Sequence, residues 1–314
     1  MVGFVRVEPA QMTATHDKER LDELAAQEPR IRFWRNPGGW WSLPMVVLLA
    51  VGFAGPLLIV LIFSFMPSGA FNISAQFTLD NYQSITRLSF DRSYITSLRL
   101  ALITTLICLV ISYPIAYALV KTLRPRAANI VTALIVTPLL VSENTRLFGW
   151  NLILSKRGIL DGTSQSLLST ELPTMLFNEK AIILGMVYIY VPFMLFPLVI
   201  GLSTVPDEVI EAARDLGATR WQVLREVEAP LAKPGIVIGG MLAFVLSLGA
   251  ISEAQILGGN AVITITKDID RVFGFQQNWP FGSALSVVLV MITGLIAYFS
   301  MSRINLDEVI GGAA

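Results

Sequence analysis

The sequence predicts an all-α membrane protein with six transmembrane helices and a polar helical hairpin on the cytoplasmic side. Three observations carry that reading. Hydrophobic residues make up 54% of the 314 and charged residues only 15%. Apolar runs near the length needed to span a bilayer as a helix, about 20 residues, recur along the chain. Between two of them lies one polar stretch, residues 205–236, VPDEVIEAARDLGATRWQVLREVEAPLAKPGI, which is punctuated like two short helices.

Residues 1–41 are expected to be a polar cytoplasmic tail with charges of both signs, ending in Trp40-Trp41 at interface depth. Within the tail, Leu21, Leu24 and Ala25 leave two readings open, a short amphipathic helix or a solvated extension. The first apolar run, Ser42–Met66, is longer than the core of a secretory signal and is followed by no convincing small-residue cleavage site, so it should stay as an anchor. Residues 42–314 are therefore expected to form one transmembrane domain. Leu100–Val120, Ala181–Val205 and Gly282–Ser302 are further uncharged runs of full membrane thickness. Ala127–Ser142 and Gly235–Ser252 are shorter, extended by mixed sequence holding Glu143 and Arg146 in the first case and Glu253 in the second. All six should be helices, because backbone polar groups in hydrocarbon must pair within their own segment.

Lys and Arg set the orientation. The bias is strongest at Arg30, Arg32 and Arg35 before the first span and at Lys121, Arg124 and Arg126 after the second. That places the N-terminus in the cytoplasm, and an even number of spans returns the C-terminus there together with the 205–235 loop.

Several chemistries fall away. Cys108 is the only cysteine and lies mid-span, so no internal disulfide or thiolate metal cluster is available. His16, in the tail, is the only histidine, which excludes a histidine triad or a multi-histidine metal site. No G-x-x-x-x-G-K-[ST] occurs, so the chain has no Walker A loop and any ATP must be hydrolysed by a partner. A formal charge of zero with scattered basic residues leaves no nucleic-acid footprint.

In the polar stretch, Val209, Ile210 and Ala213 repeat at helical spacing, and so do Trp221, Leu224 and Val227. Gly217 lies between the two runs, where a residue without a Cβ can turn the chain or allow close backbone approach, and Pro230 and Pro234 reset it before the next span. Trp221 and Leu224 either close the hairpin on itself or fill a cleft on a partner. In the membrane, Glu143 and Arg146 are spaced i, i+3 and share a helix face, as a structural ion pair or as lining of a solute path. Glu253 is either an interfacial charge or an acidic group at the outer mouth. Pro192 and Pro197 in one span are either ordinary kinks or a gate.

Glu211-Ala212-Ala213, Gly217-Ala218 and Pro230-Leu231 in this register resemble the EAA loop of permease subunits of ATP-binding-cassette importers. The resemblance extends from about the first span to the last. Tyr188-Ile189-Tyr190-Val191-Pro192-Phe193-Met194 with Pro197-Leu198, Arg146-Leu147-Phe148-Gly149-Trp150, Gly258-Gly259, and Asn278-Trp279-Pro280 are similar to the first permease of spermidine/putrescine importers. Ala250-Ile251-Ser252-Glu253-Ala254 departs from that group's usual pattern, and the wider group also handles opines and other small organic solutes. The resemblance implies a type I importer in which Glu211, Ala212, Ala213, Gly217, Ala218, Trp221, Leu224 and Pro230 form a coupling helix docked on a cytoplasmic ATPase dimer. It also implies a second permease, a periplasmic solute-binding protein, the bacterial inner membrane as the site, and ATP and Mg2+ held by the ATPase with no cofactor on this chain. The alternative class is an ion-gradient-driven secondary transporter or channel. Such a protein should carry ionisable residues deep in several spans, whereas five spans here have uncharged centres.

Overall fold

The structure, a computed structural model, describes residues 44–68, 76–156, 158–168 and 175–302. Every regular element among them is helical. The tail 1–41 lies outside the described residues, as does the chain beyond Ser302. The protein divides into two units, 1–59 and 60–314. The described part of the first is the apolar start of α1 (Pro44–Ser64), with a π-helical stretch at Ala50–Ala54.

In the second unit, a short amphipathic helix α2 (Asp80–Arg87) leads to α3 (Phe90–Thr122), whose last turn, Ala118–Thr122, is π-helical. Pro125, at a position where its missing N–H costs nothing, opens α4 (Pro125–Leu140). Pro138 lies in the final 3-10 turn, Thr137–Leu140, and the chain then bends by 96° into residues 143–165. This stretch contains α5 (Glu143–Leu154) and most of α6 (Ile159–Leu168). The Asn178 side chain caps α7 (Glu179–Ser203) by accepting from the Ala181 N–H at 2.9 Å. Two short helices follow, α8 (Asp207–Asp215) and α9 (Arg220–Leu231), and a 74° bend at Ala232 separates α9 from α10 (Lys233–Leu248). The last elements are α11 (Ser252–Ile256), α12 (Ile265–Gly274) and α13 (Trp279–Met301).

Of these, α1, α3, α7 and α13 are long and apolar enough to cross a membrane, and the two bent pairs raise the number to as many as six. The third and fifth apolar runs are shorter as helices than as sequence. Ala127–Ser142 ends in the 3-10 turn, and Gly235–Ser252 stops at Leu248, where the Gly249 N–H bonds back to Val245 and Ser247.

The core sits where α3, α7 and α10 pack on one another. Leu100, Cys108, Met194, Leu198, Leu202 and Ala243 are fully buried there. Lipid tails are as apolar as these side chains, so association inside a membrane depends on close fit of small residues. Gly201 of α7 and Gly235 of α10 supply that fit: a Cβ on either would lie 2.9 Å from the other's Cα. At the opposite end, α12 contacts α13 and is tied to α3, with Ser93 Oγ 2.5 Å from Asp268 and the Ile265 N–H donating to Ser97 Oγ at 2.9 Å.

Candidate functional site

The polar hairpin closes by two local devices. Helix α8 ends at Leu216 and Gly217, with Gly217 at φ +86°, a left-handed conformation in which a side chain is strained. The Gly217 N–H bonds the Arg214 carbonyl at 2.9 Å and the Ala218 N–H bonds the Ala213 carbonyl at 3.0 Å. This is the two-bond Schellman closure, and Ala213 and Ala218, its usual apolar pair, are both half-buried against the core. Two residues on, Thr219 accepts from the Gln222 N–H at 3.3 Å while the Thr219 N–H donates to Gln222 Oε1 at 2.8 Å, a capping box that starts α9. No Cβ contact limits Gly217 from within this chain, so the turn itself requires the glycine.

Ile210 and Val223 form the buried face of the hairpin, and Leu224 is half-buried. Glu211, Ala212 and Pro230 are exposed, as is Trp221 at 68%, and Leu216 at the tip reaches 90%. Trp221 therefore does not close the hairpin on itself. Val223 takes that role, with Leu224 and Val227 half-buried beside it.

Both legs of the hairpin meet α3. Lys121 Nζ donates to the Val205 carbonyl and to Asp207 Oδ1, each at 2.6 Å. Tyr113 Oη lies 3.5 Å from Glu228 Oε2. Glu228 is almost fully buried, and burial pushes its carboxyl above the usual range against the opposing pull of Arg214, Tyr113 and Lys121.

A second cluster forms where α11 packs on α5 and α7. Glu253 has no exposed surface, and neither of its carboxylate oxygens has a hydrogen-bond partner in bonding geometry. Tyr190 of α7 interacts with it, as do Glu143 and Arg146 of α5. Glu253 is therefore buried within the protein, where α11 packs on α5 and α7. Among the described residues the ion pairs are Arg99–Glu179 and Lys121–Asp207, so the Glu143–Arg146 pair is not formed. The Arg146 guanidinium instead lies 5.7 Å from the centre of the Tyr188 ring, and Trp150 meets that ring edge-on at 5.6 Å. Arg146 Nε is itself buried and unpartnered. Pro192 is buried and Pro197 half-buried in α7, which runs unbroken through both.

Comparison with known proteins gives these features a family. Residues 109–307 match the profile described as "Binding-protein-dependent transport system inner membrane component". The chain belongs to that family. It is a permease subunit of an ATP-binding-cassette importer, a multi-pass protein of the inner membrane. The permease is 33% identical over 245 residues to the spermidine/putrescine transport system permease protein PotB of Haemophilus influenzae, covering 77% of this chain and 85% of the relative. It is 34% identical over 231 residues to PotB of Escherichia coli, covering 73% and 84%. A solved bacterial transporter for the import of the acidic polysaccharide alginate has the same fold, with a TM-score of 0.66 at 17% identity over 92% of this permease and 98% of that chain. Family membership removes the ion-gradient-driven alternative.

The structure brings Glu211, Ala212, Ala213, Gly217, Ala218, Trp221, Leu224 and Pro230 into one hairpin. Glu143, Arg146 and Glu253 gather in a second cluster, close to the Pro192 and Pro197 helix. Sequence reasoning missed Lys121, Tyr113, Asp207 and Glu228, whose partners lie 84 to 115 residues away. It also missed the Thr219–Gln222 box, for which the spacing T-x-x-Q was a legible signal.

Proposed function

We propose that this permease is one of two membrane subunits of a type I importer for polyamines or related amine-bearing or opine-like solutes. In this reading residues 42–314 form the transmembrane domain with six spans, the third and fifth running through α4 and α10, the apolar members of the two bent pairs. The tail 1–41, the C-terminus and the 205–235 loop face the cytoplasm. The hairpin docks on a dimeric ATPase that holds ATP and Mg2+, a second permease completes the pathway, and a periplasmic binding protein delivers the solute. The naming of the PotB relatives supports the cargo class.

The observation that carries the coupling reading is the outward display of Glu211, Ala212, Leu216 and Trp221 on a hairpin closed by its own capping bonds. An exposed apolar tip beside an acidic group fits the docking of a second protein. ATP binding shifts the populations of the inward- and outward-facing states by its differential affinity for them, through motion of the hairpins. For the pathway, Glu253 and Glu143 beside Tyr190 offer acidic groups that suit a protonated amine, which would take the place Arg146 holds over the Tyr188 ring. Pro192 and Pro197 leave the Tyr188 and Phe193 carbonyls without their helical donors, a place where α7 can flex as a gate.

The test is spermidine uptake together with binding-protein-stimulated ATP hydrolysis in the reconstituted complex. Glu211→Lys and Gly217→Asp should insert at near-normal levels and lose both activities, since an unpaired charge at a docking interface costs several kcal/mol. Normal stimulated hydrolysis and uptake in both variants would remove the coupling role.

A further inference from the structure

The hairpin is held to the membrane core from one side. Lys121, in the last turn of α3, reaches the Val205 carbonyl just after α7 and the Asp207 carboxylate in the first turn of α8. One ammonium thereby joins three elements: the end of α3, the end of α7 and the start of the hairpin. Its side chain is only 10% exposed, whereas that of Asp207 is 72% exposed. The Lys121 stem is thus sheltered in the core, and the bond to Asp207 points outward to the hairpin. The Asp207 charge also suits the start of α8, where the free backbone N–H groups favour an anion.

The second leg has its own contact on the same helix. Tyr113 lies eight residues before Lys121, about 12 Å along the axis at helical rise, and faces Glu228 near the end of α9. Between these two residues α3 is least regular. Pro114 removes a ladder bond, and the π-wound turn Ala118–Thr122 follows. Both hairpin legs thus bear on a helix whose Phe90–Tyr117 part packs on α7 and α10, so a displacement of either leg is carried into that packing.

We propose that Lys121 is the positioning residue that couples the hairpin to α3, so that motion imposed on the hairpin enters the transmembrane core through this helix. The proposal rests on the hairpin being the ATPase-docking element. A bidentate contact from one sheltered cation moves its partners as a unit, whereas a hairpin held only by Ile210 and Val223 would slide over the core.

The experiment uses the complete importer with spin labels on the permease, one at Glu208 on the hairpin and one at Leu106 on the exposed face of α3. The Glu208 label should become immobilised when the ATPase is added, in the parent protein and in Lys121→Met alike. The Leu106 label should change environment on trapping with ATP and vanadate in the parent and in Lys121→Arg, which keeps a cationic donor. In Lys121→Met that response should fall by about fivefold, the lower end of ordinary coupling between sites. A full Leu106 response in Lys121→Met, or none in the parent, overturns the role of Lys121. A Glu208 label in the parent that ignores the ATPase overturns the docking reading instead. Should Lys121→Met fail to assemble, Asp207→Asn alters an exposed side chain and should weaken the Leu106 response in the same direction; an unchanged response overturns the proposal.

Discussion

Gly201 and Gly235 bring α7 and α10 together backbone to backbone, and a Cβ added to either would lie 2.9 Å from the other's Cα. The contact lies beside Pro197, Ala232 and the 74° bend, at the junction between the polar hairpin and α10.

Substituting either glycine tests that contact. Gly201→Ala and Gly235→Ala should each destabilise the detergent-solubilised protein by about 1–3 kcal/mol, the ordinary cost of overpacking, because the crowding atoms are backbone and cannot move aside. Gly240→Ala, on the same helix with open space around its Cα, should leave the melting temperature unchanged. Equal melting of all three would show that the two helices do not touch in the way described.

The turn at Gly217 makes a graded prediction. Its left-handed conformation already penalises a methyl group, by about 1 kcal/mol. Gly217→Ala should therefore lower ATPase co-purification measurably, Gly217→Val should lower it further, and Gly217→Asn should be mildest because asparagine tolerates this region. An order that follows side-chain volume alone would mean that a partner surface, and not the turn, selects the glycine.

Arg146 answers to Glu253 and Tyr188, not to Glu143. Exchanging the charges, Glu143→Arg with Arg146→Glu, should not restore what Arg146→Glu loses, and assembly on a sizing column reads this directly. Glu253→Gln neutralises a fully buried carboxyl whose oxygens make no hydrogen bond in good geometry, so the variant should melt at or above the parent temperature. Its spermidine uptake should fall about tenfold, equivalent to about 1.4 kcal/mol. Unchanged uptake would confine Glu253 to a structural role.

Orientation is open to single-cysteine labelling in a Cys108→Ser background, which removes the one native, buried thiol. A cysteine at Thr163 should react with an impermeant reagent in intact cells, and cysteines at Arg124 and Arg220 should react only after permeabilisation; all three positions are exposed. The reverse pattern would invert the map and put the hairpin out of reach of a cytoplasmic ATPase.

What the sequence revealed depended on range. Gly217, Pro230 and the helical spacing of Ile210 and Ala213 act within a few residues of themselves, so the hairpin could be read before it was seen. The runs behind α3, α7 and α13 were legible because hydrocarbon imposes a minimum apolar length. The amphipathic helices α2 and α12 were not, since each is short and half polar and owes its place to contacts with α13. The burial of Glu253 was not legible, because the end of an apolar run gives no sign that α11 packs on α5 and α7. Lys121 read only as a basic flank favouring the cytoplasm, and nothing near it in sequence pointed to Val205 or Asp207.

The Schellman closure at Gly217 and the capping box at Thr219 have a consequence for how such permeases diversify. The form of the hairpin is set by bonds between residues no more than five apart, so it does not depend on which side chains line the route through the bilayer. Under the proposed roles, cargo preference drifts through substitutions around Glu253 and Tyr188 while the hairpin surface proposed to meet the ATPase stays the same. One ATPase could then serve a succession of permeases with different appetites, provided each keeps this small self-contained knuckle.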